Sequence, residues 1–237
     1  MDTPLIINKA GGLAKLVINN PQKMNCLGMS FLEQLSDTLN DLEKDKDVKM
    51  ITITGAGERA FSTGGNLKDF TALSKEGVNE WIKRGNQVFN KLEDFPKPTV
   101  AIINGYAIGG GLELALACDF RLALPQARLS MPELQHGWVP GWGGLARIRR
   151  LIGEALAKEL IYLGDMIDAP TALTYHLIHE VVEPENVNEK VEAWQKKLTR
   201  IDPMVFQLAK QSIQDPHRNT SGTGMYFDVI GTQYSRE

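Results

Sequence analysis

Short apolar runs alternate along this chain with amphipathic stretches, and that alternation restricts the possible folds more than any other feature. Runs with the composition of β-strands lie at residues 13–19, 48–54, 99–104, 120–124 and 179–182. Between them, apolar residues recur at the spacing of one helix face. Strands that alternate with helices predict an α/β fold whose strands are joined by crossover connections.

The predicted helices have sequence signals at their ends. One covers MSFLEQLSDTLNDLEKDKD, in which the apolar face comprises Phe31, Leu32, Leu35, Leu39 and Leu42. A second covers EWIKRGNQVFNKLEDF and stops at Pro96 and Pro98, because proline cannot continue a helix. From Gly143 onward the pattern is mostly helical, with a break at Gly164. The basic cluster at residues 147–150 is predicted to lie on a solvated helix face.

The composition excludes several classes of protein. The 237 residues carry a formal net charge of -3 and a pI of about 5.9, without the basic face that DNA or RNA binding needs. No apolar run approaches the roughly 20 residues that span a membrane. Cys26 and Cys118 do not form a CxxC pair, which excludes zinc ribbons and dithiol sites and suits a reducing compartment. We therefore predict a soluble, cytoplasmic protein with no nucleic-acid or membrane partner.

A glycine-rich segment, NGYAIGGGLELALACDF, begins at the end of the predicted strand at 99–104. Its GYAIGGG part is predicted to be a turn, and its LELALACD part the start of a helix. Glycines let a ligand approach the N–H groups at a helix start, so the segment can form an anion or oxyanion cradle. It can equally serve close packing, with Glu113 improving the helix electrostatics. A dinucleotide-binding loop is excluded because the glycines are contiguous and lie mid-chain.

Two further segments can contribute to the same site. ERAFSTGGNLKDF also joins an apolar strand to a predicted helix, so the two glycine turns either offer one N–H each to a single carbonyl oxygen or are unrelated loops. LSMPELQHGWVPGWGG contains Glu133, 20 residues after Glu113, and paired carboxylates can divide acid and base roles. Two carboxylates also suit glycoside hydrolysis. Such a site usually needs more aromatic residues than the 7% present here, although Trp138 and Trp142 lie near Glu133.

Taken in order, five segments of the chain resemble the crotonase superfamily, the enoyl-CoA hydratase/isomerase family. They are NNPQKMNCL, AFSTGGNLKDF, KPTVAIINGYAIGGGLELALACDFRLA, MPELQHGWVPGWGGLARIRRLIG and ELIYLGDMIDAPTALTYHLIHEVV. The resemblance implies a crotonase-type spiral of repeated ββα units. It places a crotonase-like α/β core with the acyl-CoA site at 1–185, and a helical C-terminal region that takes part in trimerisation at 186–237. It also implies a homotrimer, or a hexamer built as a dimer of trimers.

The resemblance further implies a site for an acyl-CoA thioester. The two oxyanion-hole N–H groups align with Gly65 and Gly110. The two glutamates of the family's hydratases align with Glu113 and Glu133. The segment with Lys23, Asn25 and Cys26, together with Lys68, would lie along the CoA groove. Further substrate contacts are expected at Ser62, Gly64, Asn66, Leu67, Gly109, Trp138, Pro140 and Gly141. The resemblance implies neither a metal nor a cofactor. Coenzyme A enters as part of the substrate.

The implied reaction is the addition of water across the 2,3 double bond of a 2-enoyl-CoA. Two preorganised N–H donors stabilise an enolate-like thioester, one glutamate positions water for attack at C3, and one glutamic acid protonates C2. The alternatives are Δ3–Δ2 enoyl-CoA isomerisation, or decarboxylation or hydrolysis of an acyl-CoA, because this fold hosts several chemistries. A non-catalytic or RNA-binding family member is the alternative of another class, and the acidic pI argues against RNA.

Several positions depart from the family pattern. Residues 65–66 are Gly-Asn where Ala-Asp is common, and His176 replaces a usual glycine. We interpret His176 and His179 as surface or packing residues rather than catalytic ones. Trp138 and Trp142 stand where smaller residues are usual, so they either narrow the acyl pocket or fill core space.

Overall fold

The computed structural model describes residues 3–66 and 70–214 of the protein. Its strands are β1 (Leu5–Ala10), β2 (Leu13–Ile18), β3 (Met50–Gly55), β4 (Ala60–Ser62), β5 (Thr99–Ile103), β6 (Tyr106–Ile108), β7 (Phe120–Ala123), β8 (Arg128–Ser130), β9 (Ile167–Asp168) and β10 (Glu180–Val181). The helices with described bounds are α1 (Met29–Lys44), α2 (Lys75–Glu93), α3 (Gly110–Leu116), α4 (Gly144–Leu163), α5 (Ala169–Thr174), α6 (Val187–Leu198) and α7 (Pro203–Gln214). Short 3-10 turns cover Pro21–Lys23, Glu133–His136 and Pro184–Asn186.

Two sheets form the framework. The larger has the strand order β1-β2-β3-β5-β7-β10 and is parallel except for the pair β1 and β2. The smaller has the order β4-β6-β8-β9 and is parallel except for the pair β8 and β9. Successive strands alternate between the sheets, β3 then β4, β5 then β6, β7 then β8, and a helix follows each pair. This is the spiral of repeated ββα units, and the predicted fold class is confirmed.

The two sheets differ in how well the sequence predicts them. In the larger sheet, β2, β3, β5, β7 and β10 fall within the predicted apolar runs or extend one residue beyond them. The sequence predicts a turn across residues 105–111, and this is wrong for Tyr106–Ile108, which form β6 between β4 and β8. Strands β4, β6 and β8 have three residues each, which is too short for an alternating pattern to show.

Helix α1 buries the apolar face that its spacing predicts. The buried side chains on that face are Phe31, Leu32, Leu35, Leu39 and Leu42. Full burial of one such side chain contributes about 1.5–3 kcal/mol. Helix α1 packs against α2 and β1, so this core holds α2 in place beside the turns that follow β4 and β6.

The basic cluster at residues 147–150 is not solvated throughout. Arg150 is exposed, but Arg147 is only 2% exposed, so the prediction is wrong for Arg147. Its guanidinium donates from Nε to Glu93 at 2.8 Å and from Nη1 to the Trp142 carbonyl at 2.6 Å. The carboxylate belongs to α2, and a pattern within α4 cannot show an acceptor on another helix.

The C-terminal helices lie against the core as far as they are described. Val191 of α6 joins an apolar cluster with Leu13 and Val100. In α7, Lys210 is buried and donates to the Phe95 carbonyl at 2.8 Å and to Asp119 at 3.0 Å. Within residues 3–66 and 70–214, no helix has the length and apolar character needed to cross a membrane.

Candidate active site

A cavity of about 430 Å³ opens where the ends of several short elements meet. Gly65 comes from the turn after β4 and Gly110 from the turn after β6, while Glu113 lies in α3 and Glu133 in a 3-10 turn. Most of the other lining side chains are apolar. An apolar cleft with a few convergent polar groups is the usual form of a small-molecule site.

Gly65 lines the cavity, and strand pairing occupies the side of this segment opposite to its amide N–H. Leu27 bridges Gly65 in parallel: Leu27 N donates to the Gly64 carbonyl at 2.8 Å, and the Leu27 carbonyl accepts from Asn66 N at 3.3 Å. Along an extended segment the N–H groups of successive residues alternate in direction, so the Gly65 N–H points away from Leu27. No residue in the described part of the chain accepts a hydrogen bond from it.

The amide of Gly110 belongs to a segment that contacts the turn with Gly64 and Gly65. Gly110 is the first residue of α3, so its N–H has no acceptor within the helix, and none of residues 3–66 and 70–214 provides one. The two loops are in contact, since a Cβ added to Gly64 would lie 2.7 Å from Gly110 N. Two unpaired backbone donors therefore line the same cavity, as an oxyanion hole requires.

Glu113 is buried one turn into α3, and one of its carboxylate oxygens is fixed. Oε1 accepts hydrogen bonds from Trp142 N and Gly144 N, each at 2.8 Å. A Cβ on Gly144 would lie 2.9 Å from that oxygen, so the close approach requires glycine. Burial raises the pKa of Glu113, whereas the two amide donors and then Arg147 lower it. The carboxylate is thus oriented by backbone groups that favour its ionised form.

Arg147 secures the turn that holds Glu113. Its Nη1 donates to the carbonyl of Trp142, and the backbone N–H of the same residue donates to Glu113. Its Nη2 donates to Asn90 at 2.7 Å, and its Nε donates to Glu93. The peptide groups around Trp142 are therefore held on one side by a carboxylate and on the other by a guanidinium.

Glu133 begins the 3-10 turn, and its carboxyl group has fewer hydrogen-bond partners than that of Glu113. Its Oε2 is buried and has no hydrogen-bond partner among the described residues. A Cβ on Gly109 would lie 2.8 Å from Oε1, so the carboxyl packs over the turn that precedes Gly110. Burial raises the pKa of Glu133 to about 7, its own backbone N–H opposes the shift, and the charge of Glu113 adds to it. A carboxyl with a pKa near 7 suits proton transfer at neutral pH.

One wall of the cavity consists of aromatic rings in contact. Phe70 packs against Trp81, with 5.2 Å between the ring centroids, and against Trp138, with 4.9 Å. Trp142 continues the row, 4.6 Å from Trp81 and 5.1 Å from Phe89. The sequence allows each tryptophan a place either at the cavity or in the core, and the structure contains both cases. Trp138 lines the cavity, whereas Trp142 both lines it and fills the core.

The structure brings some of the predicted site residues to the cavity lining and not others. Those in the lining are Gly65, Gly110, Glu113, Glu133, Trp138 and Gly141. Those described but not in the lining are Lys23, Asn25, Cys26, Ser62, Gly64, Asn66, Gly109 and Pro140. Asn25 is fully buried, and its Nδ2 donates to the carbonyls of Ala56 and Ala60, which is a structural role. Leu67 and Lys68 lie outside the described residues.

Sequence reasoning missed Phe70, Trp81 and His136, which also line the cavity. The available signal was the large ring of Trp81 on the apolar stripe of a predicted helix. His179 accepts a hydrogen bond from Arg121 N at 3.2 Å, away from the cavity, which agrees with a packing residue. In the described part of the chain, no three His, Cys, Asp or Glu side chains are grouped so that they could hold a metal ion.

Three comparisons relate the chain to known proteins. Residues 8–234 match the family model described as enoyl-CoA hydratase/isomerase. The short-chain-enoyl-CoA hydratase of Clostridium acetobutylicum is 34% identical over 235 residues, which cover 98% of this chain and 90% of that protein. The crotonyl-CoA hydratase of Syntrophomonas wolfei subsp. wolfei is 35% identical over 211 residues, which cover 89% of this chain and 81% of that protein. The crystal structure of an enoyl-CoA hydratase from Bacillus anthracis matches with a TM-score of 0.89 at 33% identity, covering 97% of this chain and 90% of that one.

Proposed function

The chain belongs to the enoyl-CoA hydratase/isomerase family, the crotonase superfamily, and on that premise we propose that it is a lyase that adds water across the 2,3 double bond of a 2-enoyl-CoA. One observation carries the proposal: two carboxyl groups, and two backbone donors with no acceptor among the described residues, line a single apolar cavity. Hydration of a conjugated thioester uses all four groups.

The two amides stabilise the charge that the reaction creates. Attack of water at C3 moves an electron pair onto the thioester oxygen and produces an enolate. The N–H groups of Gly65 and Gly110 donate to that oxygen, and the loss of one such donor costs about 2.7–4 kcal/mol in comparable sites. Because both donors are backbone groups in packed turns, they need no rearrangement during the reaction.

The two carboxyl groups divide the proton transfers. Glu113, oriented by two amides that favour its charged form, acts as the base and takes a proton from the water whose oxygen bonds to C3. Glu133, whose burial favours the protonated form, gives its proton to C2 as the enolate collapses. The product gains one OH and one H in total. Proton exchange with solvent then restores Glu113 to its ionised form and Glu133 to its protonated form.

Coenzyme A enters, in this proposal, as part of the substrate, and no other cofactor takes part. Hydrogen bonds and two proton transfers account for every step, so the chemistry calls for no metal or redox group. The predicted CoA groove stays a proposal for Lys23, Cys26 and Lys68, but not for Asn25, whose side chain is fully buried in a structural role. A cytoplasmic location and the absence of nucleic-acid and membrane partners also stay proposals. The lack of a disulfide between Cys26 and Cys118 supports a reducing compartment.

A homotrimer, or a dimer of trimers, is our proposal for the assembly, with the C-terminal region at 186–237 among the contact regions. Exposed apolar side chains near the end of α4 support it: Tyr162 and Leu163 are each more than half exposed. The side chain of Gln135 donates to both of their carbonyls, so this apolar area adjoins the turn that carries Glu133. Exposed apolar areas of this kind mark interaction surfaces. Sedimentation equilibrium, which gives the mass of the assembly, tests the proposal.

The proposed reaction is tested by following the loss of enoyl absorbance with crotonyl-CoA. We expect Glu113→Gln and Glu133→Gln each to lower kcat by about 10²–10⁴-fold, the usual contribution of a general acid or base. Glu154→Gln is the matched control, because Glu154 is exposed on α4 and pairs with Lys158. It should keep wild-type activity. Full activity in both active-site variants would show that these acids do not carry the reaction.

Product analysis separates hydration from the other chemistries of this fold. Isomerisation of a 3-enoyl-CoA moves one proton and can use a single acid, so two carboxyls at the cavity favour hydration. We expect 2-enoyl-CoA to give a 3-hydroxyacyl-CoA faster than 3-enoyl-CoA or a malonyl-type thioester gives any product. A faster turnover of either of the other two substrates would show that isomerisation or decarboxylation, and not hydration, is the main reaction.

A further inference from the structure

Two tryptophans occupy the space behind the two donor glycines. A Cβ added to Gly65 would lie 2.2 Å from Cη2 of Trp81, and a Cβ added to Gly110 would lie 2.6 Å from Cζ3 of Trp142. The two indoles contact each other, with 4.6 Å between their ring centroids. The four residues form a continuous row in which each donor glycine rests against one indole.

Space, rather than backbone conformation, requires glycine at position 65. The φ of Gly65 does not lie in the left-handed region, so its backbone conformation is open to residues with side chains. The preceding Gly64 differs, since its φ of 79° favours glycine by itself. The missing side chain at Gly65 is therefore matched to the ring of Trp81.

Trp81 is held in this position from several sides. Its ring packs against Phe70 as well as Trp142. One helical turn further along α2, Gly85 makes room for Trp142, because a Cβ there would lie 2.1 Å from the indole Nε1. Trp81 therefore cannot turn aside without displacing Trp142, which abuts the second donor residue.

We propose that Trp81 positions the first oxyanion donor and determines which acyl groups the cavity admits. The indole fills the volume that a side chain on Gly65 would take, which fixes the donor turn, and the same ring lines the cavity. Because the ring occupies space beside the donor, the cavity favours short, unbranched 2-enoyl thioesters over longer ones. This inference deepens the proposed function and rests on it.

The positioning role is tested by complementary substitutions. We expect Gly65→Ala to lower kcat on crotonyl-CoA by about 10²–10³-fold, because the new methyl group displaces the donor or the indole. Trp81→Leu in the Gly65→Ala background should restore at least about tenfold of that loss, since leucine lacks the two ring atoms nearest to the methyl group. Trp138→Leu is the matched control. Trp138 lines the same cavity but is not among the atoms nearest to Gly65, so it should restore nothing.

The specificity role is tested with the Trp81→Leu single variant. We expect its kcat/KM for 2-octenoyl-CoA, relative to crotonyl-CoA, to rise about tenfold over the wild-type ratio, because pocket contacts with methylene groups discriminate by this order. An unchanged ratio would overturn the specificity role. A Gly65→Ala/Trp81→Leu variant no more active than Gly65→Ala would overturn the positioning role.

Melting temperatures separate failure of this inference from failure of the proposed reaction. Gly65→Ala should lower Tm by about 2–10 °C through overpacking, and adding Trp81→Leu should recover at least half of that loss, whereas Trp138→Leu should not. If the wild type hydrates no 2-enoyl-CoA but this recovery occurs, the proposed reaction fails and the steric pairing holds. If the wild type is active and neither Tm nor kcat recovers, the inference fails by itself.

Discussion

Glu113 and Glu133 line the same cavity in contrasting surroundings. Glu113 accepts two backbone hydrogen bonds on one oxygen, and the turn that supplies them is tied to Arg147. Glu133 has a buried oxygen without a partner in the described part of the chain, and burial brings its pKa to about 7. Burial raises the pKa of both carboxyls, and the two residues differ in the hydrogen-bond donors that the protein supplies to them.

This difference indicates that local backbone geometry, rather than residue type, assigns the roles of acid and base to the two carboxyls. Donors aimed at a carboxylate favour its charged form, whereas burial without donors favours the neutral acid. Acid and base roles follow from environments that separate two otherwise similar groups. In this protein the carboxylate fixed by two amides is the proposed base for water, and the one supported only by its own backbone N–H is the proposed acid for C2.

The largest expected effect separates the two acids in an exchange reaction. With a saturated substrate such as butyryl-CoA no water can add, but the C2 proton can still leave to a base and return from solvent. By microscopic reversibility that base is Glu133. We expect Glu133→Gln to slow the exchange of the C2 proton in D₂O by about 10²–10⁴-fold and Glu113→Gln to slow it by less than about tenfold. The decay of the C2 proton NMR signal measures both rates.

The hydration reaction provides the control for that experiment, because both variants should be slow there. If Glu113→Gln slows C2 exchange as strongly as Glu133→Gln does, the two carboxyls act as one unit and the contrast between them has no catalytic meaning.

The next effect concerns Arg147, which supports the surroundings of Glu113 only. Arg147→Met leaves the Trp142 carbonyl without its buried donor and Glu93 without its more buried partner. Removing one partner of a buried ion pair typically costs about 3–5 kcal/mol of stability. We expect a loss of that size in the free energy of unfolding, measured with urea, together with a lower kcat because the amides at Glu113 are less well held.

Arg150→Met is the matched control for Arg147→Met. Arg150 also pairs with Glu93, but its side chain is 40% exposed, so its removal should cost at most about 1 kcal/mol. Equal losses in the two variants would mean that the buried network around Glu113 contributes no more than a surface pair.

The same contrast marks how far sequence reasoning reaches. The alternation of apolar runs and helical faces predicts the buried face of α1 and every strand of the larger sheet except β1, because these patterns are local. It does not predict the smaller sheet, since strands of three residues such as Tyr106–Ile108 carry too few side chains to show a period. The spiral itself follows from the resemblance and not from any repeat in the residues.

At the site, the two carboxyls and the two glycine turns are predicted because they sit in recognisable segments. Arg147 and Trp81 are not, because their roles depend on helix α2 lying against distant parts of the chain. A tryptophan at helical spacing indicates a packed face, but only the fold places the ring of Trp81 against Gly65. Contacts between elements far apart in the chain are thus what the sequence leaves undetermined.

The smallest expected effect is a pH-dependent change in stability that comes from the proton held by Glu133. Its pKa of about 7 in the fold lies above the ordinary value of 4.5, so the folded protein keeps a proton that the unfolded chain releases. The contribution of Glu133 to stability therefore falls as the pH rises from about 4.5 to about 7 and then levels off. Glu133→Gln carries no charge at any pH, so we expect it to exceed the wild type by on the order of 1–2 kcal/mol at pH 8 and by nothing at pH 4, measured by urea unfolding. A gain by Glu133→Gln of equal size at both pH values would show that the ionised Glu133 is not disfavoured by its surroundings, and the contrast between the two carboxyls would lose its physical basis.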